Sequence, residues 1–116
     1  MTGSEQDLFE ILSNAGAAKS EYMKAIQSVK KQNFAEVESL FKTGDEYLLA
    51  AHKVHTKMIQ EEAGGSEPKI SLLLVHVEDQ LMGCESIKIM AKEFIHVYAQ
   101  LQDLKKEQTV ILNKIT

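Results

Sequence analysis

LLLVHVEDQLMGCESIKIMAKEFIHVYAQL, residues 72–101, is apolar on more than one side when wound as a helix, and that decides the fold. One stripe, Leu73, Val77, Leu81, Cys84, Ile87, Ala91, Phe94, Tyr98 and Leu101, recurs near the helical period and reads as bundle core. A second stripe, Leu72, Val75, Asp79, Met82 and Ser86, alternates steps of three and four, the spacing of a coiled-coil seam. A helix apolar on two faces is buried on two sides. In a bundle built from so short a chain, intramolecular packing covers one side well, so the second stripe asks for another copy of the protein.

Working outward from this helix, the clearest break is Gly64-Gly65-Ser66-Glu67-Pro68. Glycines end a helix well and proline is tolerated in a first turn. The third helix is therefore expected from about Pro68 to about Leu104, or on to the C-terminus. Upstream, long stretches of Ala, Leu, Lys, Glu and Gln favour helix. The first helix is expected over about 6–31, with Leu8, Leu12, Ala15, Tyr22, Ile26 and Val29 on its buried face and Gly16 as a local weak point. The second is expected over about 34–63, with Phe34, Val37, Phe41, Leu48, Ala51, Val54 and Met58 inward. Gly44-Asp45 inside it is either a kink or a tolerated weak spot. Lys31-Gln32-Asn33 is a short polar corner, so the first two helices are antiparallel neighbours. With no strand-like alternation, the chain reads as a single all-α domain, an antiparallel up-down-up three-helix bundle.

At 116 residues, such a bundle buries a modest fraction of its surface and gains from self-association. Net charge is −4 and there is no arginine, so the basic face that neutralises nucleic-acid phosphates is missing. Any phosphoryl group must be met by lysines, amides or backbone N–H groups. The apolar run Leu72–Val75 is far too short to span a bilayer, so no membrane insertion is expected. The polar start, Met1 to Gln6, is unlike a secretory signal. A lone cysteine, Cys84, allows no internal disulfide, and a reduced, cytoplasmic setting follows as the expectation.

Five side-chain groups bear on chemistry. Asp79 sits in mid-seam, where a closed oligomer brings its copies together. Like carboxylates that close share protons or bind a cation, and a carboxylate ring suits a hard cation such as magnesium or calcium better than zinc; the bland alternative is a surface aspartate beside a chance apolar stripe. His52 and His55, three apart, read as two solvated histidines. The single Glu93-x-x-His96 lacks the second copy that a di-iron bundle needs, so His96 reads as surface or interface. Cys84, among apolar neighbours, reads as an inert buried thiol. His76 follows four consecutive apolar residues and reads as set in a largely buried stretch. Asp79 and Gln80 share its face, and Gly83 lies almost directly below after two turns. A nucleophilic histidine needs a free ring nitrogen, a held tautomer and room for the incoming group. A hydrogen-bonded interface histidine fits the same residues.

Ser71-Leu-Leu-Leu-Val-His-Val-Glu-Asp-Gln-Leu-Met82 resembles the active-site helix of the lactose/cellobiose-specific IIA components of the phosphoenolpyruvate-dependent sugar phosphotransferase system. Phe9-Glu-Ile-Leu-Ser-Asn-Ala-Gly-Ala-Ala-Lys-Ser20 is similar to that family's opening helix, and Ala51-His-Lys-Val-His-Thr-Lys-Met-Ile-Gln-Glu-Glu-Ala-Gly-Gly65 to the end of its second helix. The resemblance implies a homotrimer. It implies a histidine, here His76, phosphorylated by the phosphocarrier HPr, with Gln80 in support. The phosphoryl group then passes to a cysteine of the IIB component and on to a sugar entering through the membrane IIC component, which chiefly chooses the sugar. It also implies a metal at the trimer axis held by Asp79, magnesium or another divalent cation. Gln80 stands where the family commonly has a second histidine, Glu78 where glutamine is usual, and Asn14 where histidine is common. The first change removes a proton-sharing partner, and the second adds negative charge near a phosphate. The rival class is a structural trimeric helical adaptor without phosphotransfer, which explains the seam but leaves the grouping of His76, Gln80 and Gly83 as coincidence.

Overall fold

The computed structural model describes residues 3–116. They form three helices and no strand: α1 (Gly3–Lys30), α2 (Val37–Ala63) and α3 (Leu72–Ile115). The bundle runs up-down-up. Lys57 near the end of α2 pairs with Asp7 near the start of α1 at 3.2 Å, which fixes the antiparallel sense.

Helix α1 ends as a backbone-capped turn. Asn33 N–H donates to the Ser28 carbonyl at 2.9 Å, and Gln32 takes the left-handed conformation (φ 63°) that glycine usually fills at such ends. Helix α2 begins at Val37 rather than at Phe34, because Asn33 Oδ1 accepts from Ala35 N–H at 3.2 Å and holds a turn there. It ends as the glycine pair predicts, with Gly65 at φ 103°. Helix α3 begins at Leu72, not Pro68. The hydroxyl of Ser71 accepts from Leu74 N–H at 3.1 Å, and this N-cap outweighs proline as a start signal.

The core lies mainly along α1, which packs on both other helices. Leu8, Ile11, Ala15, Ala18, Tyr22, Leu48, Ala51, Val77, Leu81, Cys84 and Ala91 form one buried cluster. Alanines at these contacts let the helix axes approach. Gly44 does not kink α2; it is where the Tyr22 ring lies. A Cβ built there would stand 2.7 Å from Tyr22 Cε1, so only glycine admits the ring. Tyr22 then donates its hydroxyl hydrogen to Asp45 Oδ1 at 2.6 Å, and Lys88 of α3 meets the same carboxylate at 3.0 Å. One residue of α1 thereby clasps all three helices.

Two residues expected in the core of α3 are not there. Phe94 and Leu101 are 45% and 43% exposed. A true α-helix turns 3.6 residues at a time, so a stripe followed by steps of three and four drifts round the cylinder. Helix α3 also outruns its neighbours. At 1.5 Å per residue its 44 residues span about 66 Å, against about 42 Å for the 28 of α1. The molecule measures 73 × 21 × 18 Å, a rod whose far end is α3 alone.

Candidate functional site

The Ser71 cap starts α3 in a register that places His76 in its second turn. The apolar run before it does not bury it. Leu73 and Leu74 turn inward and are half-buried, whereas Leu72, Val75 and His76 are exposed. The expectation of a buried histidine fails because four consecutive helical residues cover every side of the cylinder, and only part of it faces α1 and α2. Among the described residues, no group hydrogen-bonds the His76 ring. Gln80 and Gly83 do lie on its face, but Gln80 does not hold its tautomer.

One turn further on, Asp79, Gln80, Gly83, Cys84, Ser86, Ile87 and Met90 line a shallow cavity of about 290 Å³ with Lys19 of α1. A methyl group at Gly83 would meet nothing within 4 Å, so the room beside the His76 face is real space. Lys19 is the residue that reading α3 alone missed. Its signal was present, since it lies in the Phe9–Ser20 stretch and is the nearest thing to an arginine substitute the cavity offers. Cys84 is buried as expected, and burial pushes its thiol above the ordinary range, with Glu85 adding to the effect.

The second-helix histidines are not free: each pairs with a glutamate of α3, although the His52 side chain remains 41% exposed. His52 Nε2 lies 2.6 Å from Glu85 Oε1, and His55 Nε2 lies 2.8 and 3.0 Å from the two oxygens of Glu78. A carboxylate only accepts, so Nε2 of His55 carries the hydrogen. Both pairs tie α2 to α3. They also turn Glu78 toward α2, where it accepts the His55 ring hydrogen, rather than toward an incoming phosphate. Asn14 is spent on its own helix, its Nδ2 donating to the Glu10 carbonyl at 3.0 Å. His96 is exposed.

Asp79 is exposed on the same side as Leu72, Val75 and Met82, with no ion-pair partner among the described residues. No group of three or more His, Cys, Asp or Glu side chains converges among the described residues. One chain therefore offers a hard cation a single carboxylate, and only converging copies of Asp79 would make a donor set. No helix among the described residues is long and apolar enough to cross a membrane.

Comparison with known proteins places this geometry. The family model for the lactose/cellobiose-specific IIA subunit of the PTS system matches residues 6–99. The lichenan-specific phosphotransferase enzyme IIA component of Bacillus subtilis (strain 168) is 35% identical over 99 residues, which are 85% of this chain and 90% of that protein. The oligo-beta-mannoside-specific EIIA component of the same organism is 35% identical over 94 residues, 81% of this chain and 86% of its own. The crystal structure of the PTS cellobiose specific enzyme IIA from Bacillus anthracis matches with a TM-score of 0.86 at 38% identity, covering 89% of this chain and 94% of that one. With a matching family model over most of its length, relatives above the thirty-per-cent level and the same three-helix fold, the chain belongs to the lactose/cellobiose-specific IIA family of the phosphotransferase system.

Proposed function

We propose that this chain is a cytoplasmic phosphoryl carrier in sugar uptake, with His76 as the accepting group. It receives the phosphoryl group from phospho-HPr and yields it to a cysteine of the IIB component, which serves the membrane IIC component. In the first transfer, a ring nitrogen of neutral His76 forms a bond to phosphorus as the bond to the donor breaks. In the second, the IIB thiolate takes the phosphorus and the His76–phosphorus bond breaks. Such transition states are loose, so positioning and charge stabilisation dominate. The observation that carries this reading is the exposed, unengaged His76 ring with open space beside it at Gly83. A relay group visited in turn by two macromolecular partners has to be reachable. Gln80 and Lys19 flank the adjoining cavity and supply an amide and a cation. His76 also stands about one turn from the positive end of α3, which modestly favours an added anion. The relatives' names span lichenan, oligo-beta-mannosides, lactose and cellobiose, so a β-linked di- or oligosaccharide is the sugar class served.

The test is incubation with phosphoenolpyruvate, enzyme I and HPr. Acid-labile label on the chain that IIB then removes supports the relay; no label leaves the adaptor reading in its place. Gly83→Ala sharpens the test. Alanine is a better helix former by about 1 kcal/mol, so the variant melts higher, yet it fills the space beside His76 and slows transfer. An unchanged transfer rate means that space is not used.

Assembly as a homotrimer around the Leu72–Ser86 face belongs to the same proposal, with Asp79 on the axis. Three converging carboxylates would be costly bare, and a divalent cation such as magnesium would be held by them as a structural tie, outside the phosphoryl chemistry. Chelator should lower the melting temperature of the parent and leave Asp79→Leu unaffected, because leucine continues the apolar face. A parent indifferent to chelator would rule the cation out.

A further inference from the structure

The first turns of α3, which carry His76, are gripped by few contacts. Residues 64–70, which lead into them, are all exposed. Between Leu72 and Asp79, Val77 is buried, Leu73 and Leu74 are half-buried, and Leu72, Val75, His76 and Asp79 are exposed. Hydrophobic contact is non-directional, so one buried residue leaves the rotation of these turns weakly set. A second grip on them is polar and comes from α2. Nε2 of His55 lies 2.8 and 3.0 Å from the two oxygens of Glu78, with the ring 20% and the carboxylate 41% exposed. Two further pairs continue along the same seam, His52 with Glu85 at 2.6 Å and Asp45 with Lys88 at 3.0 Å. Going down α2 and up α3, the three pairs form a ladder that fixes the angle of α3 about its own axis. The His55 rung is the one nearest His76 along the chain.

We propose that His55 is a positioning residue for phosphoryl transfer, holding Glu78 so that the first turns of α3 present His76 at the angle its partners require. The inference rests on the carrier reading of His76. At about 100° per residue, Glu78 lies about 160° round the helix from His76, so the two side chains do not meet and the carboxylate acts through the helix. A helix with its side chains has a radius of about 5–6 Å, so a turn of about 20° moves the imidazole by about 2 Å. In-line transfer is sensitive on that scale, where a misplacement of about 1 Å can slow a reaction by about a hundredfold. A ring nitrogen that reaches both carboxylate oxygens opposes rotation in either sense. It also gives the acidic residue at position 78 a use. Facing the phosphoryl group, its charge would oppose transfer; tied to α2, the carboxylate is an anchor.

Rapid-quench transfer from phospho-HPr to the full chain, at temperatures well below melting, separates an anchor from a bystander. It yields a limiting rate and a half-saturating concentration. His55→Leu should lower the limiting rate about tenfold and leave the half-saturating concentration within about twofold, because the docking surface is kept while the reacting ring is turned. Glu78→Leu should do the same, since it removes the other half of one bond. The double variant His55→Gln with Glu78→Gln, which offers an amide-to-amide hydrogen bond in place of the pair, should return the limiting rate to within about twofold of the parent. Lys57→Met, which breaks the tie between α2 and Asp7 of α1, is the control for a purely structural contact and should leave the rate unchanged. Faster transfer in Glu78→Leu would show the carboxylate acting by its charge and overturn the proposal. So would a parental rate in His55→Leu, or a double variant as slow as the single ones. Each of those outcomes leaves the carrier reading intact, whereas a parent that takes no label from phospho-HPr sinks both together.

Discussion

If His76 is the accepting group, His76→Ala should remove the acid-labile label completely while helix content and melting temperature stay at the parental values. The two halves of this outcome have separate causes. The ring is exposed and makes no hydrogen bond within the chain, so its loss costs the fold no more than the roughly 0.5 kcal/mol of an ordinary surface change. The loss of label is total because no other histidine can stand in. His52 and His55 are engaged by Glu85 and Glu78 on the α2 side, and His96 lies more than five turns further along α3. Phosphoryl transfer needs in-line approach, and a nucleophile displaced by several ångströms contributes nothing. Mass spectrometry of the labelled parent and variant decides it. Label persisting on the variant would move the site elsewhere and remove the reading of the Gln80 and Gly83 face with it.

Tyr22→Ala has the largest expected effect on stability, a loss of about 3–5 kcal/mol, enough to leave so small a bundle largely unfolded at modest denaturant. The ring is fully buried, packs 5.2 Å from the Phe41 ring, and fills the notch at Gly44. Tyr22→Phe separates packing from the polar clasp. It keeps the ring and leaves Asp45 with Lys88 as its remaining side-chain partner. The pH dependence gives the sign. Burial pushes the Asp45 carboxyl up, but the hydrogen bonds from Tyr22 and Lys88 outweigh it, and the group titrates below the ordinary carboxylate value. A carboxyl with a depressed folded pKa contributes stability that is present above about pH 4 and is lost as the pH falls through the folded value. Tyr22→Phe lifts that folded value. Melting curves of the parent and Tyr22→Phe should therefore differ most near neutrality and converge in acid. Parallel curves down to pH 2 would show that the clasp adds nothing beyond the ring.

Much of the fold was legible because helix formation is local. Long runs without proline or strand-like alternation specify helices, and Gly64-Gly65 stops one, whatever surrounds them. The errors lay at ends and pairings. Pro68 looked like a first-turn residue until Ser71 offered a hydroxyl to the Leu74 amide, a competition that spacing does not rank. Phe94 and Leu101 looked like core because the pattern says nothing about where the neighbouring helices stop. His52 and His55 looked solvated because their partners are 33 and 23 residues away on another helix. His76 itself drew notice from its neighbours on the helix, but its selection over a bland interface histidine came from the family resemblance.

By itself, then, the sequence determined three helices in order, a third helix with an apolar face to spare, and a histidine beside that face. These follow from the chemistry of contiguous residues, which every copy of the segment carries with it. Tertiary structure alone decided which face α1 claims, that Gly44 receives Tyr22, that Glu78 turns toward His55, and that the far end of α3 runs on unaccompanied. Each of these depends on the rotation and axial offset of one helix against another. Those are set by the sum of contacts across the interface, and no single segment contains that sum.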